Sequence, residues 1–277
     1  MVNSEILSSA QNPRIKRLLQ LQQKSSVRRK EGVFVVEGQR EIMHCIDSGF
    51  EIESIFYCSP IMNATDTDVL HRSNSDVDPQ RLLQRAHQVI EVSPELYGKI
   101  AYREGTEGMV ATVFEKSTSL QDLQLSPSPL VMVLERVEKP GNLGAILRSA
   151  DACGADAVII CDPLTDLHNP NLIRSSIGAI FSVPCVACTS AECITYLKER
   201  GIQILTAQLQ DSHLYYDTPM DIPTPIVMGT EATGLTPQWR EAADAHIRIP
   251  MLGRLDSLNV SVSAAILLYE AVRQRSK

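Results

Sequence analysis

Short apolar runs in this chain are separated by polar stretches whose own apolar residues recur at helical spacing, the rhythm of an α/β protein. Asn12 followed by Pro13 forms a helix cap with proline at the first helical position, and Ile15, Leu18 and Leu19 give that helix a short apolar face. Residues 32–38 (GVFVVEG) predict a buried strand, 40–49 a helix closed by Gly49, and 52–58 (IESIFYC) the next strand. A polar, acidic stretch over 62–81 reads as loop or a loose helix start. After it, VIEVS and GMVATVF resume the strand pattern around a helix opened by Ser93 and Pro94.

Past Phe114 the pattern changes. Residues 116–129 are polar and end in Ser-Pro-Ser-Pro, which predicts a linker between a first domain over 1–115 and a second over 130–277. In the second, the strands LVMVLERV, AVIIC, SVPCVAC, IQILTAQL, PIVMGTE and HIRIP mostly alternate with the helices NLGAILRSADACG, NLIRSSIGAI, AECITYLKERG, TPQWREAADA and SLNVSVSAAILLYEAVRQR. Such alternation specifies a mostly parallel sheet with helices on both faces.

Composition adds limits. With 277 residues, 44% of them hydrophobic, there is material for two domains with their own cores. No apolar run approaches the roughly 18 residues of a membrane span, and the N-terminus lacks a secretory apolar stretch. The expectation is a soluble cytoplasmic protein with no membrane partner. Seven cysteines (45, 58, 153, 161, 185, 188 and 193) are an odd number, set mostly in apolar segments, as reduced thiols are. Cys185 and Cys188 form a C-x-x-C with Cys193 nearby, but no second pair or neighbouring His completes a zinc site. They are read as core or strand-end residues, and no metal is expected.

A net charge of −7 excludes a broadly basic nucleic-acid binder, so any RNA contact needs a local patch. Between Pro13 and Lys30 lie Arg14, Lys16, Arg17, Lys24, Arg28, Arg29 and Lys30 with no acidic residue among them. The run is either a solvated helix face or a phosphate-binding surface.

Parallel sheets bind ligands outside the carboxyl ends of their strands, and three strand-to-helix turns here carry unusual chemistry. Lys139-Pro140-Gly141-Asn142-Leu143-Gly144 enters a helix bearing Arg148, and it matches neither G-x-G-x-x-G nor the phosphate-loop pattern. In Gly229-Thr230-Glu231-Ala232-Thr233-Gly234, two glycines bracket a carboxylate, with Thr236 and Pro237 placed to open the next helix. The third turn, from Ile249 through Met251 to Ser261, sets Ser257, Asn259 and Ser261 among apolar residues at a helix mouth, where capping alone would need one of them.

NLGAILRSA, GTEATGL and IPMLGRLDSLNVSVSAAI, in that order and spacing, resemble the three motifs of the SpoU (TrmH) branch of the SPOUT RNA methyltransferases. The likeness runs from Leu130 to the C-terminus. NPRIKRLLQLQQKSSVRRKEGVFVVEG is similar to the opening of the smaller L30e-like α/β substrate domain of many members. The resemblance implies a catalytic domain tied in a deep trefoil knot, an active homodimer, and transfer of a methyl group from S-adenosylmethionine to a ribose 2′-hydroxyl of RNA, with 23S ribosomal RNA favoured over transfer RNA. A non-catalytic RNA-binding or ribosome-assembly protein on the same fold, and a knotted enzyme acting on a base nitrogen, are the competing readings. By resemblance, Arg148 takes the catalytic position with Asn142, Glu231, Ser257 and Asn259. Gly229, Ile249, Met251 and Leu258 hold the cofactor, with Thr206 and Ala207 as further wall. Arg14, Lys16, Arg17, Arg28, Arg29 and Lys30 are the expected RNA contacts. Lys139 stands where many relatives carry Asp, which leaves that position's role open.

Overall fold

Aliphatic and β-branched runs become strands because a pleated, doubly covered surface suits them. The computed structural model describes residues 6–63, 77–102, 107–230, 233–254 and 256–276. Two units divide the chain: Met1–Lys116 with Leu167–Arg174, and Ser117–Asp166 with Ser175–Lys277.

In the first unit, β1 (Val33–Glu37), β2 (Ile52–Tyr57), β3 (Ala86–Glu91) and β4 (Met109–Phe114) form a sheet in the order β1-β4-β2-β3. β4 runs antiparallel to both of its neighbours, whereas β2 and β3 are parallel. Ile15, Leu18 and Leu21 of the Pro13–Gln23 helix pack with Val33, Val35 and Tyr97. Its cap is the expected one, since Asn12 Oδ1 accepts from the Arg14 N–H at 2.9 Å. The basic stretch forms two helices where one was expected. Extended backbone at Lys24 breaks it, and the Ser25–Glu31 helix is closed by Gly32 at φ +61°.

The second unit is a seven-stranded sheet of β5 (Leu130–Glu135), β6 (Ala157–Cys161), β7 (Cys185–Cys188), β8 (Leu205–Ala207), β9 (His213–Leu214), β10 (Thr224–Met228) and β11 (Ala245–Arg248). Its order is β7-β6-β5-β10-β8-β11-β9, and every neighbouring pair is parallel. β5, β6 and β10 are buried at every position, as strands covered on both faces must be. Val131, Val133 and Ile159 meet Tyr196, Leu197 and Trp239 on one face. By the two-residue alternation, Met132 and Leu134 face the other way, the side on which Pro140–Ala152 and Val260–Arg275 pack together.

Two expectations are refined and one strand is added. NLIRSSIGAI forms two helices, Pro170–Ser176 and Ala179–Ser182, split where Ile177 and Gly178 take positive φ. Leu120, inside the stretch read as a linker, is buried in the second unit's core behind a Ser119–Asp122 capping box. β9, two residues long, has no readable pattern and exists through its pairing with β11.

Candidate active site

Because β8, β10 and β11 are parallel neighbours, their carboxyl ends open on one edge, and the segments leaving them enclose a cavity of about 190 Å³. Ala207 ends β8 and Gln208 and Leu209 follow it, Gly229, Thr230 and Gly234 follow β10, and Ile249, Met251 and Asp256 to Leu258 follow β11. Val260, Ser263 and Leu267 of the last helix complete the wall. Of the six residues expected to hold the cofactor, Ala207, Gly229, Ile249, Met251 and Leu258 line this cavity. Thr206 does not. Its side chain is fully buried in the sheet with Oγ1 2.6 Å from Nδ1 of His246, its register partner on β11, so the hydroxyl is taken up between strands.

Gly229 is dictated by space. A Cβ there would lie 2.3 Å from the carbonyl carbon and oxygen of Gly234 and 2.5 Å from the Leu235 nitrogen, all backbone atoms. This approach lets Thr230 and Gly234 exchange two backbone hydrogen bonds, at 3.3 and 3.0 Å, which hold these two residues together. Glu231, expected in the catalytic set, lies outside the described residues.

A second cavity, of about 130 Å³, shares Gly229, Thr230 and Val260 with the first and is lined also by Val137, Glu138, Lys139 and Asn142. Lys139, the departure from the family pattern, therefore sets a cation in this wall. Asn142 and Asn259 meet although they are far apart in sequence: Asn259 Nδ2 donates to Asn142 Oδ1 at 3.2 Å. Asn259 also caps the last helix, its Oδ1 accepting from the N–H and hydroxyl of Ser261 at 3.0 and 2.6 Å. Ser257 lines the first cavity and donates to Asp256 Oδ1 at 3.3 Å. Gly144 lets the Pro140–Ala152 helix lie close to Ser175, since a Cβ would meet its Oγ at 2.1 Å. Arg148 stands apart. It is exposed on the Pro140–Ala152 helix and lines neither cavity.

Sequence reasoning missed Glu135. At the end of β5 and 1% exposed, its carboxylate accepts from the N–H and hydroxyl of Thr236 at 2.8 and 2.6 Å. Thr236 keeps its place at the start of the Pro237–Ala242 helix, but its hydroxyl serves Glu135 and makes no capping bond. Ser190 Oγ, 3.3 Å from Glu135, donates to Asp162 at 2.6 Å and accepts from Trp239 Nε1 at 3.0 Å. A carboxylate closing the apolar run LVMVLE was the readable sign. Gln208 and Leu209 were missed too, and the strand-end rule applied to the turn after β8 would have found them.

Of the expected RNA contacts, Arg14, Lys16, Arg29 and Lys30 are exposed. Arg17 pairs with Glu31 at 2.7 Å and Glu53 at 2.8 Å. Arg28 is corrected out of the set, being 5% exposed and donating to the carbonyl oxygens of Leu21 and Gln22. The turn at Lys24 folds it back onto the preceding helix, where a guanidinium satisfies helix-end carbonyls.

Residues 129–269 match the SpoU rRNA Methylase family, and residues 12–111 match the MRM3-like substrate binding domain. A 23S rRNA (uridine(2479)-2′-O)-methyltransferase of Streptomyces viridochromogenes is 30% identical over 90% of this chain and 85% of its own length. The crystal structure of an RNA 2′-O ribose methyltransferase, 36% identical, covers 99% of this chain and 100% of that one with a TM-score of 0.80. An AdoMet-bound rRNA methyltransferase from Sinorhizobium meliloti, 27% identical, covers 97% of each chain with a TM-score of 0.83. With its catalytic half matched over 129–269, this chain belongs to the SpoU rRNA methylase family.

Proposed function

We propose that this protein transfers the methyl group of S-adenosylmethionine to a ribose 2′-hydroxyl of 23S ribosomal RNA, acting as a cytoplasmic homodimer. The observation that carries the reading is the convergence of three strand-end segments on one cavity beside the Asn142–Asn259 contact. Relatives named for this reaction, one of them holding AdoMet, supply the chemistry. The cavity suits such a cofactor: Met228, Leu258 and Leu267 offer apolar wall, and Gly229 leaves the floor open where any Cβ would strike backbone.

When bound, the cofactor supplies an electrophilic methyl on a sulfonium and leaves as a neutral thioether. What remains for the protein is to align the ribose oxygen and let its proton go. Asn142 and Asn259, held by their mutual hydrogen bond, and Ser257 at the cavity wall provide polar groups for that alignment. Arg148 contributes a cation with five donors in a planar fork, suited to hold an RNA phosphate next to the reacting ribose.

The dimer reading rests on the last helix. Val262 and Tyr269, seven residues apart and so on one face, are 48% and 49% exposed, with Ile266 between them. The knot belongs to the same proposal, supported by the way Ile249, Met251 and Asp256 to Leu258 line the same cavity as Ala207 to Leu209 and as Gly229, Thr230 and Gly234. Exposed Arg14, Lys16, Arg29 and Lys30 in the substrate domain supply the phosphate-facing patch.

Tritium transfer from labelled S-adenosylmethionine into ribosomal RNA tests the assignment. Label is expected in dinucleotides that resist alkali, and it should vanish in Arg148→Ala while cofactor affinity stays. Label on a base, or none, would defeat the proposal, and full activity in Arg148→Ala would remove that residue from it.

A further inference from the structure

The C-x-x-C pair noticed in the sequence is split by the fold. Cys185 and Cys188 lie on one strand at an odd separation, so their side chains leave opposite faces of the sheet. What joins Cys188 instead is Cys161. The two are register partners at the ends of β7 and β6, with sulfurs 4.0 Å apart. Cys193, on the Ser190–Glu199 helix that follows β7, brings a third sulfur, and all three lie within 4.8 Å of one another. Cys161 and Cys193 are fully buried, whereas Cys188 is half-buried and gives the cluster an opening.

We infer that Cys161, Cys188 and Cys193 form a binding site for one thiophilic divalent cation of the zinc class, with solvent in the fourth position on the Cys188 side. Magnitudes favour this over two other fates for the thiols. Tetrahedral zinc, with metal–sulfur bonds of about 2.3 Å, sets its sulfurs about 3.8 Å apart. The observed triangle therefore needs each edge to contract by no more than about 1 Å. A Cys161–Cys188 disulfide would have to bring its sulfurs to about 2.0 Å, closing roughly half the present gap between two strands whose ladder already fixes their spacing. Simple core packing accounts for burial but not for three soft donors meeting at a partly open point. On binding, the three thiols release their protons to buffer as three sulfur–metal bonds form.

The site ties β6, β7 and the Ser190–Glu199 helix together. Ser190 of that helix lies in the hydrogen-bonded group of Glu135, which holds Thr236 at the end of the loop lining the cavity. The role is therefore structural, fixing the scaffold on one side of the site.

The test is titration of the reduced full-length protein with cadmium ion alone. One equivalent per chain is expected, with a thiolate-to-cadmium charge-transfer band, proton release and a raised melting temperature. Cys188→Ser, at the half-buried position least able to disturb folding, should weaken binding by about 100-fold or more. Cys185→Ser, on the opposite face, should leave affinity within about threefold of the parent protein. A titration with no charge-transfer band, or equal losses in the two variants, overturns the assignment. So does a Cys161–Cys188 disulfide found in protein isolated under thiol-blocking conditions.

Discussion

Gly229→Ala adds one methyl group where the fold has no room for it. The new carbon would lie 2.3 Å from the Gly234 carbonyl, well inside the roughly 3.4 Å of an ordinary contact, so the facing backbone would have to retreat by about 1 Å. Nothing flexible is available to yield, because the obstructing atoms are main chain. The displacement would break one or both hydrogen bonds between Thr230 and Gly234, and these residues line the cavity from β10. Overpacking of this kind costs about 1–3 kcal/mol, which corresponds to roughly 5- to 150-fold in cofactor affinity if it falls on the pocket. Calorimetric titration with S-adenosylmethionine should show a loss in that range together with a lowered melting temperature. Gly141→Ala, whose added carbon meets nothing within 4 Å, is the control and should bind as the parent does. Parent-like affinity in Gly229→Ala would refute the claim that this close approach shapes the pocket.

Glu135→Gln keeps the side chain's shape but replaces one acceptor with a donor facing the Thr236 N–H. A destabilisation of about 1–3 kcal/mol and a raised KM for the cofactor are expected, and unchanged melting and KM would show that the loop does not depend on this carboxylate. Replacing Arg29 and Lys30 by Ala should weaken RNA binding and lower its salt slope by about 0.7–0.9 for each phosphate no longer neutralised. Arg28→Ala should act instead through reduced thermal stability of the first unit, and weaker RNA binding at unchanged stability would contradict its burial. Burial alone would push the Glu53 carboxyl up, but hydrogen bonds from Arg17 and the charge of its guanidinium hold it below its ordinary 4.5. Its contribution is therefore complete above about pH 4.5 and disappears as pH falls through the lowered folded value. Acid unfolding followed by circular dichroism should show a shallower pH dependence in Glu53→Gln, and superimposable curves would exclude the pair as a source of acid sensitivity.

The sequence by itself determined most of the secondary elements, the parallel character of the catalytic sheet and the turns that bear the chemistry. Those features arise from local causes: apolar periodicity, caps such as Asn12 and Asn259, and glycines where backbones must approach. Gly229, Met251 and Leu258, expected at the cofactor wall by resemblance to the family motifs, line the cavity because they sit in loops after strand ends. Tertiary structure decided what depends on the meeting of distant segments. It sent the Thr206 hydroxyl to His246, folded Arg28 back onto the helix before its own and made Glu135 the holder of a loop a hundred residues further along the chain. It also exchanged Cys185 for Cys161 as the neighbour of Cys188, because strand alternation divides a C-x-x-C while sheet register joins residues that no spacing rule connects. Periodicity along a chain states which face a residue takes, but which residues share that face is set only when strands and helices pack.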